Sequence, residues 1–201
     1  MIFGIVISNV LYYATDFVLF KKTTSQPALV GETDNAKLTA LACTVLGFID
    51  TGDYLSLSRV AHPEFGVVFS PCATVSLNTN KCFQSEQIAA FGSDHTIYVW
   101  GVREGAGEPI EMTPQSYFAE YYLAKGYTGA SIIGVNRIIK SGNALENITE
   151  MFPDVSFVDF HIPGGDRDAT EDLNWKSLRL GFEEYEGKLW LTVILNSKWT
   201  V

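Results

Sequence analysis

The chain has 201 residues, enough for one domain behind an N-terminal extension, and its 47% hydrophobic content can fill a sizeable core. It carries 14 basic and 23 acidic residues, a net charge of -9. That balance argues against nucleic acid or an anionic membrane surface as a partner, because both are bound through clustered Lys and Arg.

Residues 1–22 form a strongly apolar segment ending at Lys21 and Lys22. About 20 apolar residues suffice to cross a bilayer, but Asn9 and Asp16 interrupt the run. Three readings stand: a degraded export signal, a single anchor helix, or a buried part of the fold. The first two place the protein outside the cytoplasm or at a membrane. A polar linker with Pro27 and Gly31 follows over 23–33, and one domain is expected over 34–201.

Leu38, Leu41, Ala42, Val45, Leu46 and Ile49 recur at helical spacing and predict an amphipathic helix over 34–50. Cys43 lies in this run and reads as a small core residue. Asp53 can cap a short second helix ending before His62-Pro63. Residues 66–69 read as a strand, Ser85 as the cap of a helix through Phe91, and 96–100 as a strand. Thr113-Pro114 is a strong helix start. Tyr117, Phe118, Tyr121 and Tyr122 then make an aromatic stripe that belongs in the core. Strands are expected over 131–139 and 155–162, with a short helix capped by Asn143 between them.

The C-terminal segment is the clearest. Leu178, Leu180 and Phe182 alternate with Ser177, Arg179 and Glu183, and Gly187 permits a tight turn. Leu189, Leu191, Val193 and Leu195 repeat the alternation, predicting strands over 175–185 and 188–196 paired around Gly187. Helices first and mostly strands later indicate α+β, with a curved antiparallel sheet packed on N-terminal helices.

Chemistry is sparsely marked. His62 at the end of a short helix is either a general acid or base, or a histidine favoured there by the helix dipole. Arg179 points either into a polar cavity with Glu183 or into solvent. Cys72 and Cys82 bracket a polar loop and can face each other as a disulfide in an oxidising compartment. No Cys-x-x-Cys pair occurs and the three His are scattered, so no zinc site is expected. The acidic loop from Asp166 to Asp172 has oxygen ligands at alternate positions, but Glu171 and Ser177 stand where a calcium loop needs Gly and Glu. No cofactor motif is present: Gly105-x-Gly opens no helix. Asn147-Ile-Thr149 is a glycosylation sequon by pattern alone.

Four segments together resemble an uncharacterised family of bacterial secreted proteins and lipoproteins. They are His62 to Pro71, Gly105 to Ile110, Trp175 to Glu184 and Lys198 to Val201. The resemblance implies export. Members usually carry a lipid-attachment Cys after the signal, whereas the first Cys here is Cys43 within the domain. The element order is also similar to the cone fold of the ketosteroid-isomerase and nuclear-transport-factor type, which implies a cavity between helices and sheet. The functional expectation is a non-catalytic domain binding a small apolar ligand or peptide there. The alternative is an isomerase- or dehydratase-type enzyme using His62, Arg179 and Glu183.

Overall fold

The computed structural model describes residues 32–103, 105–164 and 173–199. The apolar segment 1–22 and the acidic loop from Asp166 to Asp172 lie outside these residues, as does the linker up to Glu32. Among the described residues no helix is long and apolar enough to cross a membrane.

The first helix, α1, spans Glu32–Thr51 and buries the expected stripe of Leu38, Ala42, Val45, Leu46 and Ile49. Cys43 does not join the core: it is exposed. One residue past Ala42 is about 100° round the helix, which turns its thiol off the buried stripe. Gly52 takes φ 65, and Asp53 Oδ1 accepts from Ser56 N at 3.0 Å to start α2, Tyr54–Ser58. The remaining elements are β1 (Val67–Ser70), β2 (Lys81–Phe83), α3 (Ser85–Ala89), β3 (Tyr98–Val102), β4 (Pro109–Met112), α4 (Pro114–Tyr121), β5 (Ile132–Val135), α5 (Ile148–Met151), β6 (Val155–Ile162), β7 (Lys176–Tyr185) and β8 (Lys188–Lys198).

Three boundaries differ from the sequence reading. Gln84, not Ser85, caps α3, through a reciprocal pair with Gln87, while Ser85 Oγ donates to Ser58 O. Strand β5 ends at Val135 because Asn136 takes φ 50 and its Oδ1 accepts from Phe157 N at 2.8 Å. Helix α5 starts after Asn147 rather than near Asn143. The side chain of Asn147 faces the segment after β1. Its Oδ1 accepts from Val75 N and its Nδ2 donates to Val75 O, at 2.7 and 2.9 Å. The sequon asparagine is therefore a buried clasp.

Six strands form one sheet in the order β2-β1-β8-β7-β6-β5, and β3 pairs with β4 in a separate ribbon. The sheet is mixed rather than wholly antiparallel, because β1 runs parallel to β8. That pairing joins distant parts of the chain and leaves no local trace in the sequence. The predicted hairpin is present: Tyr185 pairs with Lys188 across Glu186 and Gly187, both at positive φ, as a two-residue hairpin turn requires. The alternation on β8 is broken, however. Gly181 faces Val193 and Phe182 faces Leu191, so Thr192 is an extra residue in β8. Leu191 and Ile194 consequently join the core under the helices, while Val193 and Leu195 join a second cluster on the opposite face.

Both faces of the central strands are thus buried. The helix-covered face packs Val158, Phe160, Leu178, Leu180 and Phe182 against α1 and the aromatic residues of β1, β3 and α4. The other face lies under the segment running from Asn136 to Phe152.

The expected disulfide is absent. Cys72 Sγ donates to Thr74 O at 3.3 Å and Cys82 Sγ to Phe65 O at 3.2 Å. Cys82 sits opposite Val68 in the ladder, whereas Cys72 lies beyond the end of β1, so the two thiols serve different carbonyls.

Candidate functional site

On the helix-covered face the chemistry comes from α4 and the turns after it. Thr113 Oγ1 accepts from Ser116 N, and Pro114 occupies the first turn, which fixes the start of α4. Tyr117, Phe118, Tyr121 and Tyr122 then face inward, all buried. Trp100 of β3 stacks on Tyr117 with ring centroids 3.9 Å apart, and Tyr121 stacks on the same ring at 4.6 Å. A short 3-10 turn over Leu123–Lys125 and Gly126 at φ 64 reverse the chain into a second such turn, Tyr127–Gly129. This reversal sends Tyr127 toward the end of β8, where its hydroxyl donates to Asn196 Oδ1 at 2.9 Å.

Asn196 is 5% exposed, and among the described residues its Nδ2 has no hydrogen-bond partner. The hydroxyls of Tyr117 and Tyr122 lie near each other without reaching hydrogen-bond geometry. Burial pushes the phenols of Tyr117, Tyr122 and Tyr127 above their usual range, so all three stay protonated at ordinary pH. The result is a neutral polar patch inside an aromatic wall. It offers at least one donor, Asn196 Nδ2, that no other described residue satisfies.

The three residues singled out in the sequence lie elsewhere. Arg179 is fully buried on the opposite face of β7, so the solvent-facing alternative does not hold. Its Nε donates to Asp159 Oδ2 at 3.0 Å, and its Nη1 and Nη2 grip both oxygens of Glu146. Nη2 also donates to Lys140 O, Ile139 N donates to Asp159 Oδ2, and Ser197 Oγ donates to Glu146 Oε1. Next to this network, His161 Nδ1 lies 2.9 Å from Ser177 Oγ across the β6–β7 pair.

Glu183 shares the face of Arg179 but sits four residues along the strand, about 13 Å away. Burial raises its carboxyl above the usual value, with the charge of Asp154 adding to the effect. His62 is buried with its Nδ1 accepting from Phe65 N at 3.0 Å and Glu64 N at 3.3 Å, and its ring packs on Tyr185 at 5.0 Å. Burial lowers its pKa. Among the described residues His62 and Arg179 share no hydrogen-bond partner, His62 accepting from the backbone that follows it and Arg179 being held by Asp159 and Glu146.

Among the described residues no cluster of His, Cys, Asp and Glu is arranged to hold a metal ion. The residues that sequence reading missed are Tyr127 and Asn196. Asn196 follows three consecutive apolar residues, Val193 to Leu195, and a lone amide after such a run was the available signal.

No protein-family model matches this sequence, and no curated protein matches it. Solved structures do show similarity. A protein from Xanthomonas campestris described as a calcium/calmodulin-dependent protein kinase II association domain is 16% identical, with a TM-score of 0.36 over 87% of this chain and 91% of that one. Aln2 from a Streptomyces is 10% identical, with a TM-score of 0.36 over 84% and 92%. An NTF2-like protein with a cystatin-like fold from Novosphingobium aromaticivorans is 13% identical, with a TM-score of 0.34 over 85% and 91%.

Proposed function

We propose that this domain binds a small, neutral, largely apolar molecule between its helices and its sheet, in the manner of a cone-shaped α+β receptor, and does not catalyse a reaction. The observation that carries this reading is the buried Asn196 amide beside Tyr127, with a donor left over inside an aromatic wall. A buried donor without a partner costs about 1–3 kcal/mol, which a ligand oxygen recovers. Three protonated tyrosines and an amide favour a neutral oxygen acceptor over a charged one, because a buried ion would lack a counter-charge on this face. Catalysis by His62, Arg179 and Glu183 is disfavoured by their separate engagements, since acid–base chemistry needs a positioned pair.

The test is a thermal-shift series with small neutral aromatic carbonyl compounds, acetophenone first, and benzoate as the charged counterpart. Acetophenone should raise the melting temperature of the wild type and do so far less in Asn196→Leu, while benzoate has no effect. Equal shifts in both proteins, or turnover of a carbonyl compound that vanishes in His62→Ala, would sink the reading.

A further inference from the structure

The two edges of the six-stranded sheet are finished differently. At one edge β2 carries Lys81, whose ammonium lies over the rings of Phe83 and Tyr98, and β3 packs beside it. A lysine and a covering element both guard against edge-to-edge pairing. At the other edge β5 has no such charge: every residue from Gly126 to Asn136 is uncharged.

The register of β5 shows which of its backbone groups are spare. Asn136 N donates to Phe157 O, directly opposite. Bonded pairs in an antiparallel ladder recur at every second residue, so Gly134 with Asp159 and Ile132 with His161 are the next two. The N–H and C=O groups of Ile133 and Val135 therefore point away from β6. Among the described residues they meet no backbone partner. Ile132 is 42% and Ile133 44% exposed, and successive residues of a strand face opposite sides of the sheet. The edge is thus apolar above and below a row of spare donors and acceptors.

We propose that β5 pairs antiparallel with β5 of a second copy of this chain, joining two sheets edge to edge. A row in which donors and acceptors alternate is matched by another strand. A copy of β5 fits because the row is its own complement about a two-fold axis, each outward N–H meeting a C=O of the other chain. The exposed isoleucines of the two copies then cover one another on both faces. A charged peptide would find no counter-charge on this edge, whereas a copy brings no charge to it, although the whole chain carries -9.

Sedimentation velocity of the full chain from about 1 to 100 μM should show the mass double as concentration rises. Ile133→Lys puts a charge on the edge and should weaken association by about tenfold or more. Ile133→Pro removes an outward N–H and none that β6 uses, so it should do the same. Ile133→Thr keeps the N–H and the strand preference and should stay within about threefold of the wild type. Ile97→Lys, at an isoleucine 68% exposed beside the separate β3–β4 ribbon, should leave association unchanged. Circular dichroism checks that each variant is folded, and the lysine variant carries the test if the proline variant is not. A wild type that stays monomeric, a dimer that survives in either folded variant, or a dimer lost equally in Ile133→Thr or Ile97→Lys overturns the proposal.

Discussion

The two faces of β7 are held by different physics. Leu178, Leu180 and Phe182 meet α1, Tyr122 and a cluster of aromatic rings, where stability accumulates from many small contacts. On the reverse side one guanidinium, Arg179, is held by two carboxylates and a carbonyl under the segment from Asn136 to Phe152. An apolar face degrades gradually when one group is trimmed. A buried ionic knot does not, because removing one partner leaves the others charged and dry. The contrast also separates the roles of the faces. On the ionic face the guanidinium is held by both carboxylates, whereas the polar atoms of the aromatic face are neutral hydroxyls and an amide.

The largest expected effects come from two neighbours that point in opposite directions. Arg179→Met should cost about 3–5 kcal/mol in urea unfolding, and Leu180→Ala about 2–5 kcal/mol. Only the first should be repairable by subtraction: replacing Asp159 and Glu146 with Leu in the Arg179→Met background should recover about half of the loss. If the added replacements deepen the loss, the network is not the self-contained knot described.

A smaller effect tests which parts respond to acid. Burial holds the imidazoles of His62 and His161 below the usual 6.5. In the unfolded chain they take up protons near that value, which the folded state resists, so stability should fall as pH drops from about 7 through 6.5. The tyrosines of the aromatic face, raised by burial, do not titrate there. Glu183 works with the opposite sign, since its raised carboxyl holds a proton more tightly when folded. Urea midpoints should therefore be compared between pH 7.5 and 5.5 in a Glu183→Gln background, which removes that opposing contribution. A midpoint that is flat or rises toward pH 5.5 would contradict the assignment. The slope should shrink when His62 and His161 are each replaced by Gln.

The smallest effect is local. Gly187 sits at φ 75 with open space where a Cβ would go, so Gly187→Ala should cost about 1 kcal/mol through backbone strain alone. A much larger loss would mean that the turn is crowded by something beyond its own backbone.

The legible parts of this fold are those with long periodic runs. α1, β6, β7 and the Thr113-Pro114 helix start all follow from spacing within the segment. Strands β2 and β4, of three and four residues, are too short to show a period. The fate of Arg179 was also hidden, because its partners Asp159 and Glu146 come from a neighbouring strand and a distant loop. Asn196 was concealed by the extra residue at Thr192, which shifts the alternation of β8 and turns a nominally outward position inward. In each case the missing information is a pairing or contact with another segment, which spacing within the segment does not record.

The position of β8 bears on how the protein is made. This last described strand lies between β1 and β7, so a chain growing from its N-terminus cannot close the sheet until Lys198 has left the ribosome. Until then β1 lacks its parallel neighbour and the apolar side of α1 lacks part of its seat. The early helices are thus synthesised well ahead of the strand that shelters them, and holding them soluble during that interval is a task for the translation machinery and its chaperones.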